Sequence, residues 1–203
     1  MEALISTLYD FDMRYKKSGV RYLCGIDEVG RGPLAGSVYA AAFIFPNYEI
    51  DGVNDSKKLS SKKRERIFKI IVEKRFTYAL GISSVDEIDK INILNATHIA
   101  MQRALENLPI IPDLVLIDGS YAPNFGLKTE NIVKGDSISY SIACASIVAK
   151  VLRDDYMNNM DKEFPIYDFK KNKGYGTKYH IESLKKFGPC KIHRRSFLTR
   201  ILT

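Results

Sequence analysis

With 203 residues, 45% hydrophobic and 27% charged, the chain can bury one sizeable core without staples, and a single domain over 1–203 is expected. No stretch approaches the roughly 20 apolar residues of a membrane span. The start Met1-Glu2-Ala3-Leu4-Ile5-Ser6 lacks the basic-then-apolar plan of a secretory leader, so a cytoplasmic protein is expected.

In chain order, Leu4, Ile5, Leu8 and Phe11 recur at helical spacing and predict a helix over Glu2–Lys17, stopped at Gly19. A short apolar strand, Arg21–Glu28, ends in acids and runs into a glycine-rich turn, Gly30–Gly36. Ser37–Pro46 reads as a second strand. A loop with Asp55-Ser56-Lys57-Lys58 leads to a helix over about Ser61–Lys74, whose Ile67, Ile70 and Ile71 share a face. Phe76–Ser83 is a third strand, Ile93–Leu108 a helix, and Asp113–Ile117 a buried strand between Pro112 and Gly119. Asn131–Lys134 suits a short strand. Ser139–Met160 is a long helix whose Ala143, Cys144, Ala145, Ser146 and Ala149 demand close packing on the core. The tail after Phe164 is basic and aromatic, with a helix over about Thr177–Lys186. Strands first, then strands alternating with helices, predict an α/β or α+β sheet with helices on its faces.

The net charge of +7 is unevenly spread. Lys57 to Arg75 holds nine basic residues against two acids, and Phe169 to the end holds ten against Glu182 alone. Such blocks point to a polyanionic partner, with solvated helix faces as the plain alternative. Cys24, Cys144 and Cys190 show no C-x-x-C spacing, and the first two read as core thiols; no His/Cys cluster suggests zinc.

The acids carry more information. Asp27-Glu28, Asp118 and Asp136 each stand where an apolar element gives out, and sheet ends are where sites are built. Neighbouring carboxylates repel one another and lose hydration, so a cluster calls for a cation. Mg²⁺ and Mn²⁺ take oxygen ligands, and a pair of them can serve an in-line displacement without any serine or cysteine nucleophile. Taken singly, Asp136 also suits a helix N-cap and Asp118-Gly119 an ordinary turn. The segment Gly30-Arg31-Gly32-Pro33-Leu34-Ala35 fits G-x-G-x-x-A, but it adjoins two acids and leads into a strand, against a dinucleotide site. Glycines that let backbone approach a nucleic acid, with Arg31 on phosphate, fit it better.

Gly25-Ile26-Asp27-Glu28-Val29-Gly30-Arg31-Gly32-Pro33-Leu34-Ala35-Gly36 closely resembles the signature of type 2 ribonuclease H. The likeness continues through Asp55-Ser56-Lys57-Lys58-Leu59, Asn92, Ile117-Asp118-Gly119, Lys134-Gly135-Asp136, Ala149-Lys150-Val151, Arg153-Asp154, Gly174-Tyr175-Gly176-Thr177, His180 and His193-Arg194-Arg195-Ser196-Phe197. The resemblance implies a ribonuclease H-like mixed sheet flanked by helices, with a small basic helical segment at about 165–203. It implies catalytic, metal-holding roles for Asp27, Glu28, Asp118 and Asp136 with Mg²⁺ or Mn²⁺, Asp27 bridging two ions. Gly30, Arg31 and Gly32 would read the ribonucleotide 2′-OH and adjacent phosphates, and Tyr175 would pack on the following sugar. Of the basic blocks, Lys57 or Lys58 would reach a phosphate. The implied substrates are RNA–DNA hybrids and DNA duplexes containing single ribonucleotides, cut on the ribonucleotide's 5′ side to leave 3′-OH and 5′-phosphate; a monomer is expected. Ser37, Ser120 and Cys144 depart from the usual proline, asparagine and alanine, and no clamp-binding peptide is evident after Phe197. Two rival readings are a non-catalytic nucleic-acid-binding module, which would not need the four acids, and a DNA-only nuclease, which would not need Gly30-Arg31-Gly32 with Tyr175.

Overall fold

The computed structural model describes residues 7–121 and 123–202. Five strands, β1 (Leu23–Val29), β2 (Val38–Ile44), β3 (Tyr78–Ser83), β4 (Leu114–Asp118) and β5 (Thr129–Ile132), form one mixed sheet in the order β3-β2-β1-β4-β5. β1, β2 and β3 pair antiparallel, whereas β1, β4 and β5 run parallel. The described residues form seven α-helices: α1 (Thr7–Lys17), α2 (Ser61–Glu73), α3 (Val85–Glu106), α4 (Tyr140–Glu163), α5 (Phe169–Asn172), α6 (Lys178–Phe187) and α7 (Arg195–Leu202).

Strand alternation sends successive side chains to opposite faces. Cys24 and Ile26 of β1 join Ala40, Ala42, Val115 and Ile117 beneath Ala96, Ala100 and Ala104 of α3. Leu23, Ala41, Phe43, Leu114 and Leu116 face the other way, onto Ile142, Ala143 and Ala145 of α4. The small residues of α4 let it lie close to β1. Gly25 shows how close: a Cβ there would sit 2.2 Å from the Ser141 carbonyl carbon. Asp12 of α1 fixes the start of α4, accepting a 2.7 Å bond from the Ser141 N–H.

The expected elements are present with shifted ends. Residues 2–6 of the first expected helix lie outside the described residues. The expected Ile93–Leu108 helix follows a kink at Asn92, and a further helical segment starting at Val85 precedes it within α3. Ser84 and Glu87 form a capping box there, and Asn92, at φ 67°, breaks the helix where the periodicity breaks. The tail holds α5 and α7 as well as the expected helix, which runs Lys178–Phe187 behind its N-cap Thr177. No helix among the described residues is long and apolar enough to cross a membrane.

Candidate active site

The acids gather at one end of the sheet because β1 and β4 are parallel neighbours. Ile26 pairs with Ile117, so each strand delivers its acid, Asp27 or Asp118, one residue later. Asp27 points to the α4 face, where the Ser146 hydroxyl bonds to it, and Ser146 in turn lies 2.8 Å from Ser56. Glu28 follows on the opposite side of the strand, with the Arg31 guanidinium 3.3 Å from its carboxylate. Asp118 accepts a 2.6 Å bond from the Gly135 N–H. Asp136 is buried in a tight 3₁₀ turn, Gly135–Ser137, that Lys134 enters with φ 56°. It does not cap α4; Ser139 does, accepting from the Ile142 N–H. The Lys57 ammonium stands 2.9 Å from Asp136.

These carboxylates strain against one another. Burial, then the charges of Glu28 and Asp118, hold the Asp27 carboxyl well above the usual range. Burial also raises Glu28, with Arg31 opposing and Asp118 reinforcing. Asp118 is raised by burial, opposed by the Gly135 N–H and reinforced by Asp136. A buried group of acids that resist ionisation is a site short of positive charge. Among the described residues no three acids, histidines or thiols are drawn together tightly enough to ligate one ion as they stand. Lys57 and Arg31 occupy the carboxylate oxygens instead. The Lys57 side chain is 78% exposed, so its ion pair is weak and its ammonium is free to swing out. The donor set is all oxygen, which fits a hard divalent cation and excludes a thiolate- or imidazole-seeking one.

Beside the acids, the turn over Gly30–Gly36 is wrapped around a buried guanidinium. Arg194 donates to the carbonyls of Gly30, Arg31, Pro33 and Gly36. Arg153, also fully buried, donates to those of Ala35, Ser37 and Lys173. Gly30 is needed twice over: its φ is +96°, and a Cβ would lie 2.2 Å from Arg153 Nε. Tyr175 is 47% exposed, and its ring edge lies 3.4 Å from where a Cβ on Gly32 would stand. The glycine turn and Tyr175 therefore meet as one surface next to the acids.

The family model for ribonuclease HII matches residues 24–200. The chain belongs to the ribonuclease HII family. It is 52% identical over 196 residues to ribonuclease HII of Caldicellulosiruptor bescii, covering 96% of this chain and 95% of that one. The ribonuclease H2 structure from Pyrococcus horikoshii superposes with a TM-score of 0.72 at 25% identity, over 89% of this chain and 97% of that chain. Bst-RNase HIII, solved in complex with Mn²⁺, shares the fold at a TM-score of 0.68 and 18% identity, over 91% of this chain and 70% of that one. Family membership makes the chain a nuclease, and the mixed sheet flanked by helices is the fold expected of it.

The structure brings Asp27, Glu28, Asp118, Asp136, Lys57 and Arg31 to one place, and sets Gly30, Gly32 and Tyr175 along its edge. Sequence reasoning gave no role to Arg153 or Arg194. Their signal was weak: each falls in a stretch that carries the family likeness, but nothing in a sequence shows that a guanidinium is buried.

Proposed function

We propose that this ribonuclease HII hydrolyses the phosphodiester bond on the 5′ side of a ribonucleotide, in RNA–DNA hybrids and at single ribonucleotides embedded in duplex DNA, leaving 3′-OH and 5′-phosphate. The observation that carries this reading is the approach of the Tyr175 ring edge to within 3.4 Å of where a Cβ on Gly32 would stand, beside the four acids. Asp27, Glu28, Asp118 and Asp136 would hold Mg²⁺ or Mn²⁺, with Asp27 at the centre. Bound there, divalent ions supply the positive charge that an attacking and a leaving oxygen both require.

The protein's own residues supply alignment. The 2′-OH is the one mark of a lone ribonucleotide in a DNA strand, so some group must bond to it. Gly30, Arg31 and Gly32 carry backbone that Arg194 holds rigid, and a rigid reader loses little freedom on binding. Arg31 reaches an adjacent phosphate once it leaves Glu28. Tyr175 presents a ring face to the next sugar, where a deoxyribose packs and a ribose brings an extra hydroxyl. Lys57 and the basic tail over 165–203 contact the duplex backbone. The enzyme works as a cytoplasmic monomer in this reading.

Three matched duplexes test the proposal: all-DNA, DNA with one ribonucleotide, and an RNA–DNA hybrid. Cleavage of the second and third with Mg²⁺ or Mn²⁺, and none of the first, is expected. Equal cleavage of all three would return the chain to a nuclease with no ribonucleotide reader.

A further inference from the structure

Tyr175 lies between two glycines, Gly174 and Gly176, so its own backbone has little stiffness. Its orientation must come from neighbours. The Tyr175 N–H donates to the Asn172 carbonyl at 2.9 Å. The Tyr175 carbonyl accepts from the Thr177 N–H at 2.8 Å and lies 2.8 Å from His180 Nδ1. His180 Nε2 lies 2.9 Å from His193 Nε2, and His193 Nδ1 accepts from the Cys190 N–H at 2.9 Å.

The two ends of this chain decide every proton in it. A backbone N–H can only donate, so His193 Nδ1 is bare and His193 Nε2 carries the proton. That proton goes to His180 Nε2, which must be bare, so His180 Nδ1 carries a proton and donates to the Tyr175 carbonyl. Both rings are therefore neutral, each in a single tautomer. Both are buried, and the rings of Tyr167 and Phe169 pack against them at 4.7 to 6.0 Å between centroids. A proton added to either ring would set two donors against each other.

We infer that His180 and His193 are positioning residues, a proton-ordered relay that pins the Tyr175 backbone so that its ring stays against Gly32 and meets the sugar at one angle. The inference rests on the proposed sugar contact of Tyr175. The next residue after His193 extends the same device: Arg194 grips the glycine turn while His193 grips the Tyr175 loop, so one dipeptide sets the spacing of both readers. The Leu34 N–H donates to the Gly174 carbonyl at 2.8 Å and ties the two loops directly.

The test uses the amide side chains as partial imidazoles. Asn at 180 places a donor near the Nδ1 position; Gln reaches the Nε2 position and leaves the Tyr175 carbonyl short of a partner. Small displacements near a reacting centre can cost on the order of a hundredfold, so His180→Gln is expected to lower kcat/KM at a single embedded ribonucleotide about tenfold. The RNA–DNA hybrid, which offers no deoxyribose after the cut, should lose less than about threefold. His180→Asn should recover most of the loss. Because the relay acts through Tyr175, adding His180→Gln to Tyr175→Ala should cost nothing further. Equal losses on the two substrates, or losses that multiply in the double variant, would overturn the inference. Nitrogen-15 spectra of the unsubstituted enzyme give a check that needs no variant to fold: they should show protons on His180 Nδ1 and His193 Nε2, and the reverse tautomers would overturn it too. If Tyr175→Ala cleaves embedded ribonucleotides normally, the sugar contact fails and the relay's purpose with it. If Tyr175→Ala is defective while His180→Gln is normal, only the relay fails.

Discussion

Asp27, Glu28, Asp118 and Asp136 stand at one end of the sheet, and Arg153, Arg194, His180 and His193 stand beneath the loops beside them. Both groups are polar and at least half-buried, and they are built in opposite ways. In the first, like charges are crowded and burial pushes up the pKa values of Asp27, Glu28 and Asp118, with the exposed side chains of Lys57 and Arg31 and a few hydrogen bonds to relieve the group. In the second, donors meet acceptors at every position, and Arg194 alone serves four carbonyls. A buried group that is left short of partners is held ready for something from outside; one that is complete holds other residues still. The contrast predicts that charge removal at the acids will spare the fold and destroy activity, whereas disturbing the basic group will do much of its damage through the fold.

The largest effect is expected at the acids. Asp27→Asn or Asp118→Asn should abolish cleavage. Losing an outer-shell partner of a metal ligand already costs about 10–100-fold, and losing a ligand should cost more. In metal-free buffer the same variants should melt at or slightly above the temperature of the unsubstituted protein, because like-charge repulsion is relieved. Near-normal turnover with Mg²⁺ in either variant would break the comparison on this side.

Next comes Arg194. Arg194→Gln leaves several buried carbonyls without a donor and should destabilise by roughly 3 kcal/mol or more. For a chain of this size that lowers the melting temperature by about 6–12 °C. Glycines sharpen the same point. Gly30→Ala must force Arg153 aside from a backbone at φ +96° and should destabilise measurably. Gly32→Ala meets only the Tyr175 ring at 3.4 Å, so it should melt normally while losing preference for a ribonucleotide. Equal melting losses at the two glycines would show that Gly32, too, is structural.

This division explains what the sequence could and could not reveal. The acids were legible because carboxylates at the ends of apolar strands are rare without a purpose, and Asp27, Asp118 and Asp136 belong to three separate segments. The sheet was legible from its apolar runs. The complete group was not, because its evidence is partnership. A histidine that bonds another histidine 13 residues away, or an arginine that serves carbonyls more than 150 residues back, leaves no local pattern. The start of α3 was missed for a different reason: Ser84-Val85-Asp86-Glu87 carried a capping signal, but the break at Asn92 hid the helix that followed.

Acidity should separate the two groups with opposite signs. Asp27, Glu28 and Asp118 have folded pKa values above their unfolded ones, so the metal-free folded state binds protons first. Stability from these acids therefore increases as pH falls through their folded values, and levels off below about 4. Burial, then His180, pulls His193 down from 6.5 to about 4, so there the unfolded chain binds the proton first. That contribution is present above pH 6.5 and is lost as pH falls toward 4, by at most about 1.4 kcal/mol per pH unit for one proton. Urea titrations between pH 7 and 4.5 measure the sum. Asp27→Asn should steepen the loss on acidification, and His193→Gln should shallow it. The same slope in both variants would mean that neither group governs acid stability.

The smallest effect expected lies at Lys57, which sits on the line between the two modes of construction. Its ammonium is the counter-ion of Asp136, yet most of its side chain is in solvent. If a divalent ion takes over Asp136, Lys57 is released toward the duplex and can neutralise a phosphate. A phosphate contact expels condensed counter-ions, and each one adds about 0.9 to the slope of log affinity against log salt. Duplex binding in Ca²⁺, measured from 50 to 200 mM salt, should therefore have a slope shallower by about one in Lys57→Met. The paired change Lys170→Ala with Lys171→Ala should flatten it further, since both are tail lysines, and the Lys171 ammonium stands 3.4 Å from Asp168 with its side chain 83% exposed. Without divalent ions, where Asp136 still holds Lys57, Lys57→Met should change the slope much less. A slope unchanged by Lys57→Met under both conditions would leave Lys57 as a neutraliser of Asp136 alone, and would move it from the substrate surface into the acid group.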